Sequence, residues 1–238
     1  MTDLVKRASV YATRAHQRIN HRRKYSKQPY HVHLEAVARM VATVTDDPEV
    51  IAAAWLHDTV EDTPATLDDI ETEFGKAVAE LVEELTDVSK PGDGNRVVRK
   101  EIDRNHTSQA SRRAKTVKLA DLIDNCRDIC HHDANFGRVY LGEAAALLDV
   151  LGDGDARLYR RAQDTVAKCA RRIGLPAPPQ TAPDEHWHQP SGQMDLSQRR
   201  ALRVFTTAFT AREIAQPLRS FDSERPAEAL AELVARYD

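Results

Sequence analysis

The chain has 238 residues, a formal net charge of −3 and 41% hydrophobic residues. A slightly acidic chain excludes a protein that binds nucleic acid over its whole surface. The sequence also lacks an apolar run of membrane-spanning length and a secretory signal pattern, and its three cysteines form no CxxC pair. We therefore expect a soluble cytoplasmic protein with neither a membrane nor a nucleic-acid partner. The sequence carries no signal for an oligomeric state.

Helical periodicity dominates the chain and alternating β patterns are scarce, which predicts an all-α fold. Asp47-Pro48 is a typical helix start, and TLDD at 66–69 is typical of a capping box. The predicted helices, in chain order, cover residues 3–19, 33–44, 48–62 (through HDTVED), 67–74, 76–87, 116–130, 138–151 and 156–173.

A boundary is predicted near residue 176, where the helical pattern gives way to prolines. Residues 1–175 are expected to form one helical domain, residues 176–192 a proline-rich linker, and residues 193–238 a C-terminal tail of unknown role. Residues 211–238 faintly resemble the opening of a CBS nucleotide-sensing module but are too short for a whole one.

The stretch HDTVEDT, which begins at His57, places four ionisable side chains directly after the apolar run VIAAAWL. Buried charge is costly unless it is paired or bound to a metal. On one continuous helix, His57 and Glu61 would share a face, as would Asp58 and Asp62. The alternative is a helix end with solvated acids and a satisfied core histidine. The second acid pair favours a metal site.

Two other segments offer further ligands. PYHVHLEAVA contains His31 and His33, between which spacing alone does not decide, and VKLADLIDN contains Asp121 with Asn125 four residues later. Imidazole and carboxylate ligands from three helices would make a mixed nitrogen and oxygen site. Such a site suits Mn²⁺, Fe²⁺ or Zn²⁺ better than Ca²⁺.

HDTVEDT, RRKYSKQPYHVH, FGKAVAELVEELTD and VKLADLIDN together resemble the HD-domain alarmone hydrolases. These are the hydrolase halves of the bifunctional Rel/SpoT proteins and the stand-alone small alarmone hydrolases, including the metazoan SpoT homologue. The resemblance spans roughly residues 5–170 and implies an HD-domain helical bundle. It implies that Glu61 and Asp62 are the catalytic acids. It also implies four metal ligands: His33, His57, Asp58 and Asp121.

The resemblance also implies residues that contact the substrate. Arg23 and Lys24 match basic residues that meet its phosphates, and Asn125 matches a substrate-contacting asparagine. Tyr140, in RVYLGEA, falls where the stand-alone enzymes have a nucleotide-contacting tyrosine, and Lys100, in VVRKEI, matches a further phosphate contact.

The activity implied by the resemblance is Mn²⁺-dependent hydrolysis of the 3′-diphosphate of guanosine tetra- or pentaphosphate. Two departures concern substrate preference: Leu122 and Asp124 replace the arginine and histidine of the KLADRLHN pattern. One alternative is an HD-family phosphatase acting on NADPH or nucleotides. Another is an inactive nucleotide sensor, which the intact acids at positions 61 and 62 disfavour.

Two further expectations concern metals. Between His57 and Asp121 the only histidine is His106, so the sequence does not offer the extra histidines of a dinuclear HD site and one metal is expected. Cys126 and Cys130 precede two histidines, but both cysteines lie on the apolar stripe of their helix. Buried thiols are therefore predicted there in preference to a zinc site.

Overall fold

The computed structural model describes residues 2–175, so the predicted linker and tail lie outside the described residues. The described part confirms the all-α prediction, and none of its helices is long and apolar enough to cross a membrane. Ten α-helices follow one another in this part of the chain: α1 (Asp3–Arg18), α2 (His31–Ala42), α3 (Pro48–Leu56), α4 (Thr59–Asp62), α5 (Leu67–Phe74), α6 (Lys76–Leu85), α7 (Arg96–Gln109), α8 (Arg112–His132), α9 (Ala134–Leu148) and α10 (Ala156–Arg172).

Helix α8 lies at the centre of the bundle and packs against α2, α3, α6, α9 and α10. Its side chains Leu119, Ala120 and Ile123 are fully buried, which explains why such a polar sequence forms a central helix. Helix α1 covers α3 on the other side. Asp121 is therefore held in the middle of the bundle, between α2 and α3.

Several helix starts follow the predicted capping chemistry. Asp47 Oδ1 accepts a hydrogen bond from the backbone N–H of Glu49 at 3.0 Å, and Pro48 occupies the first helical position of α3. Thr66 and Asp69 form the predicted capping box at the start of α5. These local signals place the beginnings of α3 and α5 correctly.

The prediction of one helix from Pro48 through HDTVED is wrong. Helix α3 ends at Leu56, and the one-turn helix α4 begins only at Thr59. Asp58 between them has φ −100° and ψ 2°, outside the α-helical region. His57 and Glu61 therefore do not share one helix face, because a turn at residues 57–58 separates α3 from α4.

Helix α7 was not predicted, because its sequence lacks an apolar stripe. Its only buried residues are Asp103 and Thr107, both polar. Asp103 accepts hydrogen bonds from the backbone N–H groups of Val88 and Ser89, so α7 is fixed to the loop after α6 by polar contacts. Helix α9 also begins at Ala134, four residues before the predicted start.

Candidate metal centre and active site

Two histidines meet at the centre of the bundle. His33 comes from the first turn of α2 and His57 from the end of α3, and each is 1% exposed. Their Nε2 atoms are 3.3 Å apart. The structure thus brings His33 into the site, whereas the half-buried His31 lies outside this cluster.

Two carboxylates complete the cluster. Asp58 Oδ2 lies 3.4 Å from His33 Nε2 and 3.2 Å from His57 Nε2. Asp121 Oδ1 lies 3.2 Å and 3.7 Å from the same two nitrogens. Ligand atoms that share one ion at roughly 2.0–2.2 Å lie roughly 3.0–3.6 Å apart. His33, His57 and Asp58 therefore have the geometry to hold one divalent cation, and Asp121 lies beside them as the fourth residue implied by the resemblance.

The outer nitrogen of each histidine is also satisfied. His57 Nδ1 lies 2.9 Å from the backbone carbonyl oxygen of Ala54, and His33 Nδ1 lies 2.7 Å from Asp124 Oδ2. With a proton on each Nδ1, both Nε2 atoms keep the lone pair that a metal needs. These contacts therefore fix the tautomer and orientation of both rings for metal binding.

Asp124 is itself held by Arg23. The Arg23 Nη1 atom forms an ion pair with Asp124, and its Nε donates to Asp128 Oδ2 at 3.1 Å. A chain of contacts thus runs from Arg23 through Asp124 to His33. From the sequence, Asp124 was predicted to affect only substrate preference. The overlooked signal is the spacing of three residues between Asp121 and Asp124, which places both carboxylates on one side of α8.

The cluster favours charge separation between its histidines and carboxylates. Burial opposes the charged form of His57, but the charge of Asp58 and a hydrogen bond to Asp121 outweigh burial and raise the pKa of His57 to about 9. Burial opposes the ionised form of Asp121 too, yet hydrogen bonds from His33 and His57 hold the pKa of Asp121 well below its usual range. Protons are therefore the direct competitors of a cation at this cluster.

Glu61 and Asp62 lie on α4 at the rim of the cluster. Although Glu61 is exposed as a residue, the desolvation of its carboxyl group, followed by the charges of Asp87 and Asp58, raises the pKa of Glu61 to about 7. Burial, followed by the charges of Asp58 and Glu61, raises the pKa of Asp62 to about 7 as well. The backbone N–H of Asp87 donates to Glu61 Oε2 at 3.3 Å. Carboxyl groups that titrate near neutrality are suited to proton transfer.

Lys118 is a half-buried cation whose role was not predicted from sequence, although it opens the KLAD stretch. Its Nζ lies 3.8 Å from Asp121 Oδ2 and 3.6 Å from Asp87 Oδ1. Burial opposes its charge, but Asp87 and Asp121 raise the pKa of Lys118 above its usual value. Lys118 therefore keeps a positive charge beside the acid-rich site.

Asn125 and Arg23, both predicted to contact substrate, lie against the metal cluster. Asn125 Nδ2 donates to Asp121 Oδ1 at 2.6 Å, and its Oδ1 accepts from Arg23 Nη2 at 3.3 Å. Arg23 is 8% exposed, and its guanidinium is occupied by the ion pairs with Asp124 and Asp128. The structure thus shows Arg23 supporting the site, and its contact with a phosphate stays a prediction.

The other predicted substrate residues have contacts outside the four-residue cluster. Lys24 Nζ lies over the ring of Phe136 at 5.2 Å, and Lys100 Nζ lies 2.7 Å from Asp87 Oδ2. Tyr140 packs against the core, and burial raises the pKa of its hydroxyl. Their contacts with substrate stay predictions.

The cysteines behave as predicted. Cys126, Cys130 and Cys169 are buried free thiols between α8, α9 and α10, and Cys169 Sγ donates to the backbone oxygen of Cys126 at 3.5 Å. His131 and His132 are exposed at the end of α8. The thiols therefore belong to the core.

The sequence and the fold are similar to those of known proteins. A family model described as "HD domain" matches residues 8–140. The chain is 38% identical over 128 residues to the Xenopus tropicalis protein "Guanosine-3′,5′-bis(diphosphate) 3′-pyrophosphohydrolase MESH1", a match covering 53% of this chain and 69% of the relative. The human protein of the same name is 41% identical over 125 residues, with 51% and 67% covered.

The fold is also similar to that of a solved structure. It is the structure of a metazoan orthologue of SpoT described as hydrolysing ppGpp and playing a role in starvation responses. It matches with a TM-score of 0.63 and 31% sequence identity, and the match covers 74% of this chain and 98% of that one.

Proposed function

The chain belongs to the HD domain family, in the group of the MESH1 guanosine-3′,5′-bis(diphosphate) 3′-pyrophosphohydrolases, and from that premise we propose that it removes the 3′-diphosphate of guanosine tetra- or pentaphosphate. The products are GDP or GTP and pyrophosphate. The observation that carries the proposal is the buried cluster of two histidines and two aspartates with the ionisable pair Glu61 and Asp62 at its rim.

We propose Mn²⁺ as the cofactor. The two imidazole nitrogens and two carboxylate oxygens are a donor set that suits Mn²⁺, and the hydrogen-bonded outer nitrogens of His33 and His57 fit a metal-binding role. When bound by these residues with Asp58 and Asp121, the ion supplies a water of lowered pKa and polarises a phosphoryl oxygen.

Glu61 serves as the general base in this proposal. Its carboxylate accepts the proton of the attacking water, and a pKa near neutrality lets it both take up and release that proton. Asp62, the next residue on α4, orients the same water. General-base catalysis contributes roughly 10²–10⁴-fold to turnover.

The phosphates meet positive charge on two sides. Lys118 and Lys100 both lie beside Asp87, next to Glu61. Lys24 is exposed on the loop before α2, so its charge can contact a phosphate. Arg23 acts through Asp124 by holding His33 in place.

Turnover by the purified chain tests this proposal. With Mn²⁺ present, ppGpp should be converted to GDP and pyrophosphate with a higher kcat/KM than the release of phosphate from NADPH or a nucleoside monophosphate. Product analysis by ion-exchange chromatography distinguishes pyrophosphate from phosphate. Faster turnover of NADPH would identify a phosphatase of the same family, and no turnover of any of the three substrates would favour a nucleotide sensor.

We place this activity in the cytoplasm. The three cysteines of the described residues are free thiols, the state that a reducing compartment maintains. The nucleotide substrate that we propose is also a small intracellular molecule, so no nucleic-acid or membrane partner is required.

A further inference from the structure

A basic groove runs between α8 and α10, and none of its lining residues belongs to the metal cluster or its rim. The groove holds a cavity of about 460 Å³, which is within the size range of small-molecule sites. Although the whole chain has a net charge of −3, five cations and a single acid line this groove. These charged lining residues are Arg127 of α8 with Arg157, Arg160, Arg161, Asp164 and Lys168 of α10.

The cations of the basic groove differ from other arginines on the described surface. Arg39 pairs with Glu35 at 2.6 Å, and Arg113 pairs with Glu49 at 2.6 Å. Such mixed pairing is what a solvated helix face is expected to show. Within residues 2–175, by contrast, no carboxylate lies at ion-pairing distance from four cations of the groove: Arg127, Arg160, Arg161 and Lys168.

Asp164 shows that the lack of pairing does not come from sequence spacing alone. It lies four residues from both Arg160 and Lys168, a spacing that allows an ion pair on a helix. Within the described part of the chain, however, it forms an ion pair with neither. Arg157 is the exception among the cations, since its Nε lies 3.6 Å from Asp155 Oδ1. The groove therefore keeps positive charge that the described chain does not neutralise.

The spacing of the cations fits a ligand with more than one phosphate. Arg157, Arg160 and Arg161 are three and four residues apart, so they share one face of α10, where like charges repel one another. Lys168 lies eleven residues after Arg157, which is roughly 16 Å along the helix. One phosphate contacts at most one end of this row. A chain of linked phosphates can contact several cations and remove their repulsion.

We propose that the basic groove is a binding site for a small molecule that carries two or more linked phosphates. Guanidinium groups bind phosphate oxygens through paired, charge-assisted hydrogen bonds, and four of the five cations are arginines. Arg127 holds the phosphate chain from α8, and the row on α10 holds it from the other side. The proposal concerns a site apart from the metal cluster and does not depend on the alarmone activity.

Inorganic tripolyphosphate is the probe that tests this site. The full chain is stripped of metal and desalted, so that no cluster ion attracts the phosphates, and binding is measured by isothermal titration calorimetry. The double variant Arg127→Gln/Arg160→Gln should weaken binding roughly tenfold or more, because each charge-assisted hydrogen bond is worth about that factor. Both side chains are exposed, so the variant should fold, which circular dichroism checks.

The matched control is the double variant Arg14→Gln/Arg171→Gln. It removes the same charge from two exposed arginines outside the groove and should bind tripolyphosphate like the wild type. Equal losses in the two double variants would show a general charge effect and would overturn the site. Asp164→Asn removes the one acid of the groove and should tighten binding roughly two- to fivefold. A loss of affinity in Asp164→Asn would also overturn the proposal.

Two further comparisons locate and identify the ligand. Lys24→Gln changes a predicted phosphate contact of the active site and should leave the affinity for tripolyphosphate unchanged. A loss there, with none in Arg127→Gln/Arg160→Gln, would place the probe at the active site and reject the groove. Tighter binding of ATP than of tripolyphosphate would identify a nucleotide as the ligand, and equal binding a phosphate chain alone. Binding of a single-stranded oligonucleotide without binding of tripolyphosphate would replace the proposal by a nucleic-acid site.

Discussion

The metal cluster and its rim are built in different ways. In the cluster, His33 and His57 are 1% exposed and each is fixed at its outer nitrogen. At the rim, Glu61 lies at the surface on the one-turn helix α4 and is held by a single 3.3 Å hydrogen bond from the backbone of Asp87. The difference fits the proposed division of labour, in which a rigid core would hold the ion and an adjustable rim would handle protons and substrate. Each prediction below tests whether a residue belongs to the core or to the rim.

The largest effect is expected in the core. Asp121→Asn removes a carboxylate that lies 3.2 Å from His33 Nε2, so both metal content and ppGpp turnover should fall to background. Mass spectrometry of the cluster ion and a kinetic assay should change together. An Asp121→Asn protein with full occupancy of that cluster would show that the ligand set is drawn incorrectly.

Glu61→Gln should affect the function of the rim and leave metal binding by the core unchanged. The variant should keep the cluster ion, because Glu61 lies outside the four-ligand set, yet kcat should fall by roughly 10²–10⁴-fold through loss of the general base. Metal content and kcat are the two measurements. Loss of metal in Glu61→Gln would make Glu61 a ligand, and unchanged kcat would remove it from the mechanism.

Asp124 and Asp128 offer a matched pair. Both accept from Arg23, but only Asp124 also contacts His33. Asp124→Asn should therefore weaken Mn²⁺ binding by roughly 10–100-fold, the usual loss when the partner of a ligating histidine is changed. Asp128→Asn should leave affinity near that of the wild type. Equal losses in the two variants would mean that the pairing with Arg23, and not the contact with His33, is what matters.

The smallest effect concerns stability against pH. The pKa of Glu61 is raised to about 7 in the folded chain from an ordinary 4.5, so the folded state binds its proton more tightly than the unfolded state. The free energy of unfolding should therefore fall as pH rises from about 4.5 through about 7. Glu61→Gln removes this contribution and should gain thermal stability relative to wild type between pH 5 and pH 8.

Solvent screening at the exposed Glu61 keeps that gain under about 1 kcal/mol, or roughly 2–4 °C in Tm. The measurement is thermal unfolding in excess chelator, carried out at pH 5 and at pH 8. Glu71→Gln, an exposed change on α5, is the control and should follow the wild type. A gain that is the same at pH 5 and pH 8 would contradict the assignment to Glu61 ionisation.

The parts of the fold predicted from sequence are those with local signals. The cap at Asp47 and the capping box of Thr66 and Asp69 are written in neighbouring residues. Helix α7 carries no such signal, because tertiary polar contacts of Asp103 hold it. The break at Asp58 has no glycine or proline to announce it, and the apolar run before it favours a longer helix.

The proposed site also contains some residues that the sequence reveals and others that it does not. The proposed ligands could be found from sequence because a cation restricts the donor types that bind it, and the resemblance supplied the choice among them. The role of Arg23 was not recognisable, because its carboxylate partners Asp124 and Asp128 lie 101 and 105 residues further along the chain. The charge of an arginine is visible in a sequence, but the acids that the fold brings to it are not.

The single turn of α4 bears on how HD-domain enzymes diverge. A helix of four residues is not stable alone, so α4 depends on contacts such as the hydrogen bond from Thr63 Oγ1 to the carbonyl oxygen of Thr59 at 2.6 Å. Changes in residues 63–66 or at Asp87 can therefore shift Glu61 and Asp62 without altering a metal ligand. We therefore expect relatives that keep the same four proposed ligands to differ in residues 59–66 when their substrates differ in length.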